Sequence, residues 1–458
     1  MSGELLLPGV KEIGCGYDIL EGDFADPASC LSNLFDFSTV PLVEQKVGNV
    51  IYSLPSVLIY HADSRNEYSS SSGESIQDYM TSLNSKTKVE GSYNFFSGSL
   101  SVNFSEDSHT NRYYSFSRIQ NNIYLYVLEL PVGNLLMKYL QEDFAKALND
   151  DNYSPTKLFD NYGTYFVNRI AIGGRAVYCS TTNKLQYDNK VSLSVAAEMS
   201  YKGLVGKLSA SEEAAYSSAI SSFNSCSETR VLTRGGDVAY GGANLPGNID
   251  KWVDSVKDFP NMVDFDGQRS LLPIWDLCTS EERKAALRAA YPQWCLANMH
   301  HIDVYNGPAF LGAWVPLMKQ FDDTGSGANL DLTVYKPQQQ GDYFWVGQTA
   351  VQGYNKPAYE LPNGLLLKEI VPGSLGKIAD WSQIWNDAGS GKSDDYALWS
   401  PIPATPASHV ALGHFFKKDS SGWAKPTEEE TSNLRTVPRD CVGDGIWGEM
   451  VIFVCIFS

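Results

Sequence analysis

The chain has no apolar stretch long enough to cross a membrane as a helix and no recognisable export signal. Its longest unbroken apolar run, residues 450–457, has eight residues, whereas a spanning helix needs about 20. Residues 1–17 contain no basic stretch followed by an apolar one, which is the pattern of a secretion signal. We therefore expect a soluble chain that is stored in the cytoplasm or released without such a signal, and we expect residues 450–457 to form a buried strand.

Positive charge is scarce as well. The 458 residues include 35 lysines and arginines against 53 aspartates and glutamates, which gives a formal net charge of -18. Such an acidic chain has no bulk attraction for a phosphate backbone or for anionic lipid headgroups. We expect no nucleic-acid partner, and any contact with a membrane must be apolar or must run through a receptor.

Cysteine is infrequent and shows no pattern. The chain has eight cysteines and no Cys-x-x-Cys pair, so neither a zinc site nor a redox motif is indicated. Free thiols in a reducing compartment are one interpretation. A disulfide between Cys179 and Cys226 is the alternative in an oxidising compartment.

Motifs for catalysis are isolated. The tetrapeptide Asp-Thr-Gly-Ser at residues 323–326 matches the active-site sequence of aspartic proteases, but the chain has no second copy with which it could share a proton. We interpret it as a turn. The adjacent His300, His301 and Asp303 lack a distant fourth metal ligand. We therefore expect no enzyme activity, no metal site and no cofactor.

Length and composition favour two large domains. Hydrophobic residues make up 43% of the chain, enough for a sizeable core. Up to residue 300 the sequence mixes short strand patterns with helices, the last of which is marked by Thr279 or Ser280 as a cap and by Glu281 and Glu282 in its first turn. The sequence predicts an α+β domain over residues 1–300 and an all-β domain over residues 301–458.

The C-terminal part contains a weak internal repeat. Residues 332–351, 396–416 and 434–453 each run as strand, proline turn, aromatic strand and glycine. Three related β units predict a pseudo-threefold prism or a sandwich. Trp345, Trp399 and Trp447 occupy similar places in these units, and we consider them as target-binding residues, with core packing as the alternative.

Two serine-rich segments, residues 63–117 and 183–230, alternate apolar and polar side chains over about the length of a transmembrane β-strand, roughly 9–11 residues. Their flanks have the spacing of helices, as at Ile76, Tyr79, Met80 and Leu83. A segment with both periods is a candidate for refolding from helix to strand, and a half-exposed sheet with serine-rich loops is the alternative. The apolar positions proposed to insert into a membrane are Phe96, Leu100, Val102, Phe104, Val191, Leu193, Val195 and Met199.

Between these segments, residues 160–178 resemble the signature of the membrane attack complex/perforin (MACPF) family. That signature is Tyr-Gly-Thr-His followed by Phe or Tyr, then a strand and a Gly-Gly pair. Further resemblance at residues 14–18, 233–237 and 271–277 extends it over about residues 8–300. Tyr165 stands where the family usually has histidine, and the matching residues are Tyr162, Gly163, Thr164, Phe166, Gly173 and Gly174.

The resemblance implies a strongly bent antiparallel sheet flanked by two clusters of helices that unfurl into transmembrane β-hairpins when the protein oligomerises. The two alternating segments lie where those hairpins are expected. Gly235 and Gly236 resemble the family's glycine pair at the sheet bend, where missing Cβ atoms would allow straightening. A plain turn is the alternative role for these two glycines.

The C-terminal units, at residues 397–403 and 410–414, resemble the Vps62-related domain of plants and fungi. The combination resembles plant pore-forming proteins, including fern proteins, with insecticidal activity. It implies a defence protein that binds a protein or glycan receptor on a target-cell membrane, oligomerises and inserts two hairpins per subunit. A non-lytic regulator of defence or cell death and a lectin-like binder are the alternatives.

Overall fold

The computed structural model describes residues 5–84, 95–105, 112–131, 133–267, 269–299, 309–324, 331–390, 393–420 and 422–443. The chain divides into two compact units. The first comprises Met1–Thr182 and Val191–Tyr305, and the second comprises Asn183–Lys190 and Asn306–Ser458. The main boundary therefore lies near the expected residue 300, but a short internal segment of the first 300 residues joins the second unit.

The first unit mixes strands with helices, which confirms the α+β fold class. In the described ranges no helix is both long enough and apolar enough to span a membrane. Its strands are β1 (Cys15–Tyr17), β2 (Cys30–Asn33), β3 (Leu42–Val47), β4 (Val50–Pro55), β5 (Ile59–Gly73), β6 (Tyr114–Glu129), β7 (Tyr165–Val167), β8 (Arg169–Asn183), β9 (Ser227–Arg234), β10 (Asn261–Phe265) and β11 (Leu271–Pro273). Its helices are α1 (Ile76–Asn84), α2 (Gly98–Asn103), α3 (Glu142–Asn149), α4 (Pro155–Tyr162), α5 (Leu193–Leu204), α6 (Ala210–Cys226), α7 (Ile249–Ser255) and α8 (Glu281–Asn298).

A five-stranded sheet organises the first unit. Its order is β10-β8-β6-β5, and β9 also pairs with β8. Three of its strands, β5, β6 and β8, have 15, 16 and 15 residues, about three times the usual strand length of 5–6. A smaller sheet has the order β11-β7-β1-β2, and β3 and β4 form a hairpin.

The two helical segments cover opposite faces of the large sheet. Successive residues of a strand point to opposite faces, and β8 shows this at two neighbouring positions. The Tyr178 hydroxyl lies 3.1 Å from the Ser200 hydroxyl of α5, whereas Cys179 faces Tyr79 of α1. The sheet is therefore enclosed on both sides by the segments that carry the alternating pattern.

Those segments are helical in this structure, so the strands predicted from the alternation at residues 96–105 and 191–202 are not present. Helices α2 and α5 occupy these positions instead, whereas the predicted flanking helices appear as α1 and α6. The reason is local capping combined with tertiary packing. The Ser192 hydroxyl accepts the backbone N–H of Val195 at the start of α5, and Leu100 of α2 packs into the core.

The cysteine predictions need correction. A disulfide joins Cys15 to Cys30, with a Cα–Cα distance of 5.7 Å, and both Cys179 and Cys226 are free. The antiparallel pairing of β1 with β2 brings the first two cysteines together. In the pairing of β8 with β9, Cys179 lies opposite Arg230 rather than near Cys226. The spacing of the cysteines in the sequence indicates neither that Cys15 bonds to Cys30 nor that Cys179 and Cys226 stay free.

The second unit consists mainly of three antiparallel sheets of three strands, in the orders β12-β17-β15, β13-β14-β16 and β18-β19-β21, with the pair β20-β22 beside them. The first two predicted repeats coincide with β14 to β16 and with β19 to β21. The third repeat begins at β22, and its later part, including Trp447 and residues 450–457, lies outside the described residues. The elements are β12 (Phe310–Val315), β13 (Leu317–Asp322), β14 (Leu332–Pro337), β15 (Phe344–Trp345), β16 (Thr349–Gln352), β17 (Gly364–Glu369), β18 (Ile378–Asn386), β19 (Asp395–Pro403), β20 (His409–Val410), β21 (Phe415–Asp419), β22 (Val437–Pro438) and the helix α9 (Glu428–Thr431).

The glycines that end the first two repeats contact each other. A Cβ atom built on either Gly347 or Gly413 would lie 2.8 Å from the Cα atom of the other, which is closer than real Cβ atoms approach. The two backbones can meet only because neither residue has a side chain. Glycine is therefore required at this place in both repeats.

A second repeated feature was missed in the sequence. Buried Asp323 accepts hydrogen bonds from the Leu332 backbone N–H and from the Tyr354 hydroxyl, each at 2.8 Å. Asp387 likewise accepts the Tyr396 backbone N–H at 3.0 Å and a tryptophan N–H at 2.7 Å. Each aspartate begins the sequence Asp-x-Gly-Ser-Gly and closes a hairpin. The protease-like tetrapeptide thus has a structural role.

Candidate pore-forming elements

Several glycines lie close together at the place where strand β8 changes its neighbour in the large sheet. Strand β8 pairs with β10 up to Gly173 and with β9 from Arg175 onward. Gly235 follows β9 with a φ of 70°, and a Cβ there would lie 2.3 Å from the Gly173 carbonyl oxygen. A Cβ on Gly173 would lie 1.8 Å from the Ile123 carbonyl oxygen of β6. Three backbone segments cross here at distances that only glycine allows.

Trp252 of α7 covers this crossing and is fully buried. Its indole N–H donates to the Gly235 carbonyl oxygen at 3.0 Å. A Cβ on Gly236 would lie 2.5 Å from the indole nitrogen, and one on Gly174 would lie 3.2 Å from the far edge of the ring. One side chain therefore packs on both glycine pairs. In the sequence, the only signal for Trp252 is its spacing of three residues from Ile249, which is typical of a buried helix face.

The family signature forms a junction between α4 and the small sheet. Gly163 ends α4 with a φ of 78°, and a Cβ there would lie 2.6 Å from the Tyr17 backbone nitrogen. Thr164 is fully buried, and its carbonyl oxygen accepts the Ile274 N–H at 3.1 Å. Phe166 lies in β7 between β1 and β11. The structure thus places these signature residues in the scaffold.

Tyr165, which replaces the usual histidine, fills an aromatic cluster. Its ring centroid lies 5.9 Å from that of Trp275 and 5.8 Å from that of Tyr291 on α8. Burial, reinforced by Tyr165, raises the pKa of Tyr291 above its ordinary value. Position 165 therefore holds α8 against the small sheet through apolar packing.

In the first inserting segment, three of the four proposed membrane-facing residues belong to the core of this state. Phe96, Leu100 and Phe104 are buried, whereas Val102 is 42% exposed. The Phe104 ring lies 5.0 Å from the Tyr79 ring of α1. An α-helix does not keep residues two apart on one face, so the alternation is divided between core and solvent.

The sheet face beneath α1 carries buried charge. Arg118 of β6 and Arg175 of β8 lie on either side of Asp23, with closest N···O distances of 3.6 and 3.7 Å. Tyr79 of α1 interacts with Arg118. Two buried cations share one carboxylate, an arrangement that is expensive to desolvate.

Burial also shifts the pKa values of the ionisable groups near Asp23. Burial, with the neighbouring cations Arg234 and Arg118, lowers the pKa of Arg175 to about 10. Burial also raises the pKa of the Cys179 thiol to about 12. Both shifts disfavour the charged form, as desolvation requires. For Arg118 burial acts in the same sense, but the attraction of Asp23 and Tyr79 outweighs it and raises the pKa above its ordinary value.

Polar contacts join the two helices of the second inserting segment to each other. Besides its contact with Tyr178, the Ser200 hydroxyl donates to the Asn224 side-chain oxygen at 2.8 Å, and Lys202 of α5 pairs with Glu212 of α6 at 3.1 Å. The predicted apolar residues Val191, Leu193 and Val195 are half-buried and Met199 is buried. In α6 the buried residues among 17 are Ala219, Phe223 and Cys226. Helix α5 also buries Ala196, Ala197 and Tyr201, and the Tyr201 ring lies 5.7 Å from the ring of Tyr178.

The prediction that tryptophans of the repeats bind a target is wrong for the two that the structure describes. Trp345 and Trp399 are 3% and 5% exposed and pack together in one core cluster of the second unit. Each lies in a strand whose inward face carries the apolar residues of its repeat, so neither can contact a receptor. Trp447 lies outside the described residues. Trp314 on β12, which the sequence analysis did not single out, is 70% exposed.

Comparison with known proteins agrees with these features. The model of the MAC/Perforin domain matches residues 6–294. The crystal structure of GNIP1Aa from Chromobacterium piscinae is 31% identical, with a TM-score of 0.74, over 95% of this chain and 83% of that chain. A MAC/Perforin-domain protein from Bacteroides thetaiotaomicron is 15% identical over 73% of this chain and 70% of its own, and its TM-score of 0.45 adds nothing on function. No curated protein sequence matches the chain.

The matched residues are well over half of the chain, and the likeness to GNIP1Aa extends through both units. The family model ends at residue 294, so the resemblance of the C-terminal part to a Vps62-related domain stays a prediction. Proteins of the matched family form pores and are not enzymes, as the sequence predicts. The chain belongs to the MAC/Perforin domain family.

Proposed function

We propose that this protein is a pore-forming defence toxin with insecticidal activity. It binds a target-cell membrane through a protein or glycan receptor, assembles with copies of itself and inserts two β-hairpins per subunit into a β-barrel pore. The observation that carries this proposal is the continuity of the helices with the long strands. Helix α6 ends at Cys226 and β9 begins at Ser227, and α1 starts three residues after β5 ends.

The lengths of these elements support insertion. Helices α5 and α6 have 12 and 17 residues, and a tilted transmembrane strand needs roughly 9–11. Each helix therefore contains enough chain for one crossing. Backbone groups in lipid must all be paired, and a hairpin that continues β8 and β9 would satisfy this requirement through the existing strand pairing.

The edges of the large sheet support assembly. In the order β10-β8-β6-β5, β5 lies at one edge and β9 and β10 lie along the other. Edge strands present unpaired backbone groups to a neighbour. A ring in which β5 of one copy pairs with the opposite edge of the next copy would close the sheet into a barrel.

Dye leakage from vesicles made of target-cell lipids, together with imaging of the bound protein, tests the proposal. Rings and leakage are the expected result. Rings or bound protein without leakage would instead support the non-lytic regulator, and a glycan signal without membrane activity would support the lectin-like binder. Trp314→Ala, which removes the exposed indole, tests whether the second unit contributes to target binding.

A further inference from the structure

The segment Asn183–Lys190, which we call the strap, connects β8 to the start of α5 but belongs to the second unit. Its first residue is anchored there, because the Asn183 side-chain amide donates to the Pro372 carbonyl oxygen at 3.1 Å. The Gln186 amide donates to the Gly373 carbonyl oxygen at 3.3 Å. The strap is thus held to the second unit from the last residue of β8 onward.

A carboxylate fastens the far end of the strap. The Asp188 Oδ1 atom accepts the backbone N–H groups of Ala407 and Ser408, at 2.6 and 3.1 Å. Hydrogen bonds to an ionised acceptor are stronger than neutral ones. Near Gln186 the fit is close, since a Cβ on Gly373, whose φ is 74°, would lie 1.6 Å from the Gln186 amide nitrogen. The strap therefore has a defined seat in the second unit.

The register of β8 with β9 identifies what the strap would do in a hairpin. The pairing runs without a bulge from Arg175 opposite Arg234 to Thr182 opposite Ser227. Continued in the same register, Asn183 pairs with Cys226 and Lys190 pairs with Ala219. Helix α6 ends at Cys226, directly before β9. The strap residues are therefore the partners of the last two turns of α6.

The position of the turn supports this register. If the register continues to its end, the two lengthened strands meet between Leu204 and Val205, which is where α5 ends. Gly206 follows with a φ of 69° and nothing within 4 Å of a Cβ built on it. A hairpin in this register would thus turn at the connection that already joins α5 to α6.

We propose that the strap is a lock on the second inserting hairpin. Pairing beyond Thr182 and Ser227 cannot continue while the strap remains seated in the second unit, because its residues are the first partners that α6 needs. Release of the strap then allows β8 and β9 to lengthen together, one pair at a time. This inference rests on the proposed pore-forming function and adds the step that regulates it.

Two double-cysteine variants that share one position test the lock. Asp188→Cys with Ala407→Cys joins the strap to its seat, and Asp188→Cys with Ser221→Cys joins two residues that pair only in the extended hairpin. We expect the first pair to cross-link in solution and, when oxidised, to bind target membranes yet release dye at least tenfold more slowly than wild type, with recovery on reduction. We expect the second pair to cross-link only after incubation with membranes.

Wild type with the same oxidant and reductant controls for the native disulfide between Cys15 and Cys30. Leakage at the wild-type rate by the oxidised 188–407 variant, while wild type itself leaks, would overturn the lock and leave the proposed function standing. Cross-linking of the 188–221 pair in solution at the same rate would also overturn it.

A measurement in solution separates the lock from the proposed function. Asp188→Ala removes the strap's carboxylate, and Asp342→Ala removes an exposed carboxylate of the same unit that pairs with Lys368. Amide hydrogen exchange in α5 should rise severalfold in the first variant and stay unchanged in the second. Equal exchange in the two variants would overturn the lock. Absence of leakage from wild type on every target membrane would instead defeat the proposed function, with the lock still decided by the exchange data.

Discussion

The indole N–H of Trp252 donates a hydrogen bond to the carbonyl oxygen of Gly235, 3.0 Å away. This bond joins α7 to the turn after β9, at the point where β8 exchanges β10 for β9 as its neighbour. The same ring packs on Gly236 and Gly174. We expect straightening of the sheet at this crossing to separate the Trp252 indole from the Gly235 carbonyl, and we therefore expect the contact to oppose insertion.

Trp252→Phe keeps an aromatic ring but removes the indole hydrogen bond and shortens the ring that packs on Gly174. We expect the free energy of unfolding to fall by more than the roughly 1 kcal/mol that such a bond contributes, because the smaller ring also leaves a cavity, and we expect the lag before dye leakage to shorten. Trp294→Phe is the matched control, because it also removes an indole hydrogen bond, to Asp160 at 2.8 Å, far from the crossing. Equal lag times for the two variants, measured alongside chemical denaturation, would argue against a role for Trp252 in insertion.

Gly235→Ala tests the hinge. Gly235 and Gly247 have φ values of 70° and 74°, so alanine at either site carries a similar backbone penalty of about 1–2 kcal/mol. Only at Gly235 does the new Cβ also meet a carbonyl oxygen, at 2.3 Å. We expect Gly235→Ala to bind target membranes but to insert slowly, and valine at both Gly235 and Gly236 to stop insertion. Normal leakage from these variants, with Gly247→Ala as the reference, would remove the hinge role.

Arginine substitutions on neighbouring residues of α2 test the membrane strand. Val102 and Ser101 are both exposed in this structure, so neither change needs to disturb the core, unlike Leu100→Arg. In the pore, Val102→Arg would place a charge in lipid at roughly 2–4 kcal/mol per subunit and should abolish leakage. Ser101→Arg would face the lumen and should leave conducting pores with altered ion selectivity.

The second segment offers the same comparison. Val195→Arg should abolish leakage and Ser194→Arg should not, since the two residues alternate in the same way. Circular dichroism and target binding establish that each variant keeps the fold of the unbound protein. If both members of a pair lose leakage equally, or if neither does, that segment does not form a membrane strand.

Acid should weaken the seat of the strap through His409. Burial lowers the pKa of this histidine below its usual value of 6.5, against the attraction of Asp188, Asp440 and Glu369. The folded protein then binds fewer protons than the unfolded chain, so stability rises with pH in this range. The contribution is complete above about pH 6.5 and is lost as the pH falls through the lower, folded-state pKa. His409 lies next to Ser408, whose N–H binds Asp188.

We therefore expect hydrogen exchange of the backbone at residues 405–409 to increase between pH 6.5 and pH 5, and the second unit to unfold at a lower denaturant concentration. His409→Gln should flatten this dependence, whereas His414→Gln, at an exposed position, should retain it. A pH dependence that survives His409→Gln would assign the effect to other groups.

Local patterns in the sequence anticipated much of the candidate site. The motif around Gly163 and Gly173 indicated the family. Gly235 and Gly236 lie where β8 changes its neighbour, and their role as a hinge stays a prediction. The repeated spacing of proline and glycine indicated related β units, of which Gly347 and Gly413 now show equivalent positions. The predictions of the family and of the related β units succeeded because each depends on a few residues that are close together in the chain.

Other features were beyond the sequence for an equally physical reason. Phe96 to Ser105 carries a strand period within a stretch that forms a helix here, because burial of Leu100 against the core outweighs a local preference. For Trp399 the sequence left two roles open, target binding and core packing, and its neighbours in the fold decide for core packing. Trp252 gave only the weak signal of one helix turn. In each case the energy comes from residues distant in the chain.

By itself, then, the sequence determined the family, the two segments that hold both helical and strand periods, and the acidic character of the chain. Only the tertiary structure decided which period each segment adopts in this state, which cysteines pair, which tryptophans are buried and where the strap is seated. Asp188 shows the reason, because its two hydrogen-bond donors lie more than 200 residues away. Contacts of that kind depend on how whole sheets pack, and no local pattern around either residue encodes them.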